Sequence, residues 1–197
     1  MAQKIFFIII FCEAIYAFAL CLSIFAPERR IWPPPQRKSW QFYVVWASLA
    51  GAFFLTILLA FLDWNSFIFW HWSRFLVGGL LMIFGYMTYY WARQHLGWKM
   101  MMGLKGKFIA TGIYQYTRNP MYIGDVALCI GFAFICNSFL IYVVVIVAVI
   151  LFLCTPYAEE PWLREQYGSQ YDDYILSVAR FIPRVTKLDE KCLNKTN

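Results

Sequence analysis

Long, nearly uninterrupted apolar runs constrain this chain more than any other feature. A helix needs roughly 17–25 mostly apolar residues to cross a hydrocarbon core about 30 Å thick. Residues 5–26, 42–62 and 75–91 form three such runs, each flanked by polar or charged residues. Two shorter runs, 122–136 and 139–155, are separated only by Asn137-Ser138, which predicts a helical hairpin with a tight turn. Only 14% of the residues are charged, against about a quarter in soluble domains, which excludes a water-soluble fold. The expected fold is an all-α integral membrane protein with five transmembrane helices.

Orientation follows from the basic residues, because short loops rich in Lys and Arg stay on the cytoplasmic side. Fifteen of the seventeen lie in the first loop (Arg29, Arg30, Arg37, Lys38), between the third and fourth runs, or after the fifth; only Lys4 and Arg74 fall opposite. The amino terminus is therefore expected outside and the carboxyl terminus in the cytoplasm, with the prokaryotic plasma membrane as the expected location for so short a chain. The net charge of +6 is accounted for by this asymmetry and by anionic headgroups, without a nucleic-acid partner. The first run is longer than a signal-peptide core, and Ala26-Pro27 is a poor cleavage site, so it is read as a span.

Residues 1–92 are expected to form a three-helix membrane region that supplies scaffold or a substrate-facing wall, and 93–197 a catalytic region. Pro33-Pro34-Pro35 cannot continue a helix and is expected to run stiffly along the membrane surface. Residues 94–117 turn polar, with Gly97, Gly103, Gly106 and Gly112 permitting tight turns, and are read as a cytoplasmic loop. After Pro156, Leu163, Tyr167, Tyr171, Tyr174 and Val178 recur at helical spacing. They predict an amphipathic cytoplasmic segment, broken at Gly168. The cysteines (Cys12, Cys21, Cys129, Cys136, Cys154, Cys192) have no metal-binding spacing, and His71 and His95 lie near opposite span ends, so packing roles and no metal are expected.

Chemistry concentrates in two segments. Residues 111–125 place hydroxyls, Arg118 and free backbone amides where the fourth run begins, a helix start that favours anionic groups. Glu159-Glu160-Pro161 follows the fifth run, and a hairpin returns both segments to one face. A cationic cofactor with an amino-acid head needs a carboxylate for its ammonium, donors for its carboxylate, and apolar walls. The two segments together hold those groups. Glu13 and Asp125 are carboxylates inside predicted spans, where charge is costly and a functional role is the default hypothesis.

Arg118-Asn119-Pro120-Met121-Tyr122-Ile123-Gly124 resembles the Arg-His-Pro-x-Tyr-x-Gly signature of the isoprenylcysteine carboxyl methyltransferase and phospholipid methyltransferase superfamily. Glu159-Glu160-Pro161-Trp162-Leu163, Tyr167-Gly168, Tyr171, Tyr174 and Arg180-Phe181-Ile182-Pro183 resemble its carboxyl-terminal pattern, and Leu96-Gly97-Trp98 a further element. The resemblance implies S-adenosylmethionine as cofactor and methyl transfer to a lipid, lipidated or other lipophilic acceptor at the membrane, an isoprenylcysteine-like carboxylate or a phospholipid amine.

By the same resemblance, Phe108, Ile109, Tyr114, Asn119, Pro120, Met121, Tyr122, Glu159 and Glu160 would hold the cofactor, with Arg118 and Glu160 closest to the chemistry. Asn119 replaces the usual His, so no proton-transfer role carries over to it. Eukaryotic prenylcysteine enzymes also carry an Arg shortly before the paired glutamates, where this chain reads Cys154-Thr155-Pro156-Tyr157. Membrane sterol reductases, which use NADPH, share a related turn, and Gly124-Asp125 is similar to its acidic end. A membrane protein that keeps the fold without the chemistry is the remaining alternative.

Overall fold

The computed structural model describes residues 1–182, and every regular element among them is helical. The helices are α1 (Ala2–Phe25), α2 (Trp40–Leu62), α3 (Ser73–Met101), α4 (Pro120–Cys136), α5 (Phe139–Tyr167) and α6 (Ser169–Ser177), with single 3-10 turns at Pro27–Arg29 and Gly112–Gln115. Pro183, Arg184, Lys187, Lys191, Cys192 and Lys195 lie outside the described residues.

α1, α2, α3 and α5 are each long and apolar enough to cross a membrane. α4 has 17 residues, about 25 Å at 1.5 Å per residue, somewhat less than a hydrocarbon core. Large apolar side chains such as Phe7, Phe11, Phe18, Phe61 and Ile83 face outward and are exposed, an arrangement suited to lipid rather than water.

Local chemistry sets the helix ends. Ser39 caps α2 by accepting from the Phe42 amide (3.3 Å), and Ser138 caps α5 by accepting from Ile141 (3.1 Å), each satisfying an otherwise orphan donor. Asn137 takes the left-handed conformation (φ 48°, ψ 45°) that turns α4 into α5, one that Asn tolerates better than most residues. This asparagine is also fully buried. Its amide donates to Asn65 Oδ1 and the Phe67 carbonyl and accepts from Phe69 N–H, so the hairpin turn is fastened to the α2–α3 loop.

α4 lies antiparallel against α3, with glycine facing glycine at two levels. A Cβ on Gly78 would sit 2.7 Å from the Gly131 carbonyl oxygen, and one on Gly85 would sit 2.6 Å from that of Gly124. Only hydrogen fits there, and the backbones approach as closely as small residues allow in membranes. α2 packs on α1 and α5 instead, and α1 packs on α5. α2 and α3 make no substantial packing contact, which leaves a gap between them.

Three expectations are corrected. The third helix does not stop at Trp91 but runs to Met101, with one break at Gly97 (φ 74°, ψ 159°); the polar residues 94–101 are compatible with a helix that has left the apolar layer. Pro156 does not end the fifth helix either, and α5 passes through both Pro156 and Pro161. Each proline removes one ladder donor, which a membrane helix tolerates when neighbours resatisfy the freed groups. Beside Pro156, Thr155 Oγ1 donates to the Leu151 carbonyl and meets Tyr16 Oη at 2.9 Å.

The third correction concerns the proline run. Ile31, Trp32, Pro33 and Pro34 are buried rather than laid on the surface. Ser23 Oγ accepts from the amides of Ile31 and Trp32 (3.1 and 2.8 Å) and turns the loop inward. A Cβ on Gly103 would meet Pro34, Trp32 and Pro33 at 3.0, 3.1 and 3.3 Å, so the first loop packs against the segment between α3 and α4.

Candidate active site

The stripe read from residues 163–178 is helical on both sides of Gly168 as far as Ser177, with Val178 extended just past the last turn. Gly168 (φ 57°, ψ −135°) breaks the chain between α5 and α6. Tyr171, Tyr174 and Val178 bury against Phe108, Ala110, Leu163 and Tyr167. Phe108 is enclosed by Tyr167, Tyr171 and Tyr174 at ring separations of 5.4, 6.4 and 5.5 Å. Tyr174 Oη donates to the Tyr114 carbonyl (2.6 Å) and Tyr167 Oη to that of Gly106 (3.1 Å). Burial pushes the Tyr114, Tyr171 and Tyr174 hydroxyls above the usual phenol range, so all three stay protonated.

Below this cover lies a cavity of about 480 Å³, within the range of small-molecule and cofactor sites. Phe108, Ile109, Tyr114, Arg118, Asn119, Pro120, Met121, Tyr122, Glu159 and Glu160, every site residue singled out in the sequence, line it together. Two of its polar centres are built from the glutamates. Glu159 Oε1 accepts from Tyr122 Oη (2.5 Å) and from the Trp32 indole N–H (2.9 Å). Glu160 accepts from Arg180 Nε (2.8 Å) and Nη2 (2.7 Å), a bidentate pair, and its Oε1 lies 3.3 Å from Arg118 Nη1. That carboxylate holds the Arg180 guanidinium more firmly protonated than usual.

Arg118 is nearly buried and its Nη1 is ion-paired with Glu160, yet its Nε has no hydrogen-bond acceptor. Buried donors are normally satisfied, so this guanidinium suits an anionic group brought in from outside the chain. Asn119 is used differently. Its Nδ2 donates to the Arg180 carbonyl (3.1 Å), as does Thr117 Oγ1 (3.0 Å), and the Arg118 amide donates to that of Ala179 (2.9 Å). Together they fasten Ala179 and Arg180 across the start of α4, and the Arg180 guanidinium lies 3.9 Å over the Tyr157 ring.

Sequence reasoning assigned no site role to several lining residues. Tyr16, Trp32 and Trp46 form an aromatic file with ring separations of 6.1 and 6.2 Å, and Phe152 stacks on Tyr122; all of them line the cavity. Trp32 had a signal, an aromatic joined to a proline run between arginines. Tyr16 and Trp46 had none, being aromatic residues among many in apolar helices. Glu13 is buried in α1 with Oε2 unpartnered and does not line the cavity, whereas Asp125 does.

A comparison with family models matches residues 73–170 to the phospholipid methyltransferase family. The match takes in the first motif block and the second as far as Gly168, while Tyr171, Tyr174 and residues 180–183 lie beyond it. The chain belongs to the phospholipid methyltransferase family. It is a membrane methyltransferase by that membership, with helices long and apolar enough to span a bilayer. No curated protein and no solved structure is significantly similar to it. The family match starts at the beginning of α3, so Tyr16, Trp32 and Trp46 come from the part of this methyltransferase outside it.

Proposed function

We propose that this methyltransferase binds S-adenosylmethionine in the cavity and transfers its methyl group to a lipophilic acceptor that arrives from the bilayer. The observation that carries the reading is Arg118, a nearly buried cation whose Nε lacks an acceptor and whose Nη1 meets Glu160 at 3.3 Å, on a cavity wall otherwise rich in aromatic and aliphatic side chains. The cofactor, when bound, supplies an electrophilic methyl group on a sulfonium. Arg118 would take its carboxylate, held in place by Glu160, which Arg180 in turn orients. Phe108, Ile109, Tyr114, Met121 and Tyr122 would pack against its apolar and aromatic parts. Methyl transfer from a sulfonium is an in-line displacement that needs little covalent help. The chain's contribution is therefore positioning and exclusion of water, for which the tyrosine cover and the fastened Ala179-Arg180 segment are suited.

The gap between α2 and α3 opens the cavity sideways, with Phe53 and Phe54 at 61% and 67% exposure lining both the cavity and the outer surface. Such an opening admits an acceptor whose chain stays in lipid. In this reading α4 is a fifth span shortened by its burial against α3, the amino terminus lies outside, and the cavity opens on the cytoplasmic half. The test is incubation of the detergent-purified protein with methyl-labelled S-adenosylmethionine and a bacterial lipid extract. Label appearing in the organic phase, and lost in Arg118→Ala, supports the reading. Label confined to water, or an NADPH-dependent reduction in its place, contradicts it.

A further inference from the structure

Trp32 lies outside the residues matched to the family, yet it is fixed from three directions. Ser23 Oγ on α1 accepts from its backbone amide (2.8 Å). Its buried ring is flanked by Tyr16 at 6.1 Å and Trp46 at 6.2 Å. The segment between α3 and α4 closes on it at Gly103, where a Cβ would meet the indole at 3.1 Å. Arg30, two residues earlier, ties the same loop to α5 through Glu165 (3.7 Å) and the Trp162 ring. A side chain locked by packing in this way aims its polar atom in one direction, as support for a binding group requires.

That polar atom is the indole N–H, which donates to Glu159 Oε1 at 2.9 Å, beside the hydroxyl of Tyr122 on the same oxygen. Two donors on one oxygen fix the rotation of the carboxylate. Its other oxygen, Oε2, has no hydrogen bond among the described residues, and Glu159 lines the cavity. Glu160 differs, because both of its oxygens are taken up by the guanidinium groups of Arg180 and Arg118. Of the paired glutamates, only Glu159 therefore keeps an oxygen for a positive charge from outside the chain. Trp32 and Tyr122 are neutral donors, so they steady that carboxylate without cancelling its charge, as an arginine in either place would.

We infer that Trp32 is a positioning residue for the cofactor site: acting through Glu159, it holds Oε2 toward the cavity as a counter-charge for the cationic cofactor. This rests on the reading that the cavity binds S-adenosylmethionine. It gives the first loop a part in cofactor binding that none of the sequence motifs covers. Tyr122 reaches Glu159 from α4 and Trp32 reaches it from the loop after α1, so the two halves of the chain grip one carboxylate between them. Without the indole N–H, Glu159 regains rotational freedom, and binding must then order it again.

The test is calorimetric titration of S-adenosylmethionine into the detergent-purified wild type, Trp32→Phe, Glu159→Gln and the double variant. Phenylalanine keeps an aromatic ring in the file and loses the N–H. Trp32→Phe is expected to bind about three- to tenfold more weakly than the wild type, and Glu159→Gln more weakly still. The double variant should bind no more weakly than Glu159→Gln, because Trp32 then has no charge to position. In protein carrying isotope-labelled tryptophan, the indole N–H resonance that is missing from Trp32→Phe should shift in Glu159→Gln. Unchanged affinity in either single variant, additive losses in the double variant, or an unmoved indole resonance overturns the inference. Should Trp32→Phe fail to fold, Ser23→Ala, which loosens the loop that carries Trp32, takes its place in the cycle with the same expectations. A wild type that binds no S-adenosylmethionine is distinguishable from all of these, and would remove the cofactor reading on which the inference stands.

Discussion

Glu160 and Glu159 are neighbours in sequence with different duties. Glu160 balances two guanidinium groups, one of them nearly buried, and removing its charge strands both. Glu160→Gln is expected to cost about 3 kcal/mol, the scale for breaking a buried ion pair from one side. Glu159 has two neutral donors. Tyr122→Phe removes one and leaves Trp32 in place, so its expected cost is about 1 kcal/mol. Thermal unfolding in detergent checks both, and the ordering is the content of the prediction: equal shifts would mean that Glu160 does not organise the arginines. The same contrast explains what the chain could reveal at this scale. Arg118, Tyr122 and the paired glutamates are legible because they fall in two short blocks. Arg180 also stood in a quoted block, but its bidentate pair with Glu160 depends on how Ala179 and Arg180 fold over α4.

The α3–α4 pair is the element on which the cavity's second half is mounted, and its close approach rests on glycine. Gly78 and Gly79 are adjacent on α3 and make a controlled comparison. A Cβ at Gly78 would lie 2.7 Å from backbone and side-chain atoms of α4, whereas a Cβ at Gly79 would meet nothing within 4 Å. Gly78→Ala is expected to destabilise by about 1–3 kcal/mol through overpacking. Gly79→Ala should be neutral or stabilising by up to about 1 kcal/mol through helix propensity. Thermal shifts of the two variants, measured side by side, decide the matter. Apolar length alone predicted where helices lie, but not this pairing. The glycines of α3 and α4 had no visible meaning until the two helices were set antiparallel. The proline positions misled because a proline that commonly ends a helix in water is carried inside α5, as membrane helices tolerate.

At the scale of the whole molecule, the two halves of the chain are interdependent. The carboxyl-terminal half holds the motifs, but Tyr16, Trp32 and Trp46 complete the cavity from α1, the first loop and α2. Trp32 reaches the cavity because Ser23 folds the first loop inward, while Tyr16 and Trp46 were indistinguishable in the sequence from the other aromatics of apolar helices. The proposed orientation puts that loop in the cytoplasm and the α2–α3 loop outside. In a background with the native cysteines replaced, a membrane-impermeant thiol reagent added to intact cells should label Ser66→Cys. It should label Gln36→Cys only after permeabilisation; the reverse pattern would invert the topology.

The central claim, that the cavity built around Arg118 holds S-adenosylmethionine, is tested most directly by calorimetric titration of S-adenosylmethionine, S-adenosylhomocysteine and NADPH into the detergent-purified protein and its Arg118→Ala variant. The account predicts saturable binding of the first two to the wild type, none of NADPH, and affinity lowered at least about tenfold in the variant, a difference of about 1.4 kcal/mol. Binding of NADPH alone, or of none of the three, would contradict it.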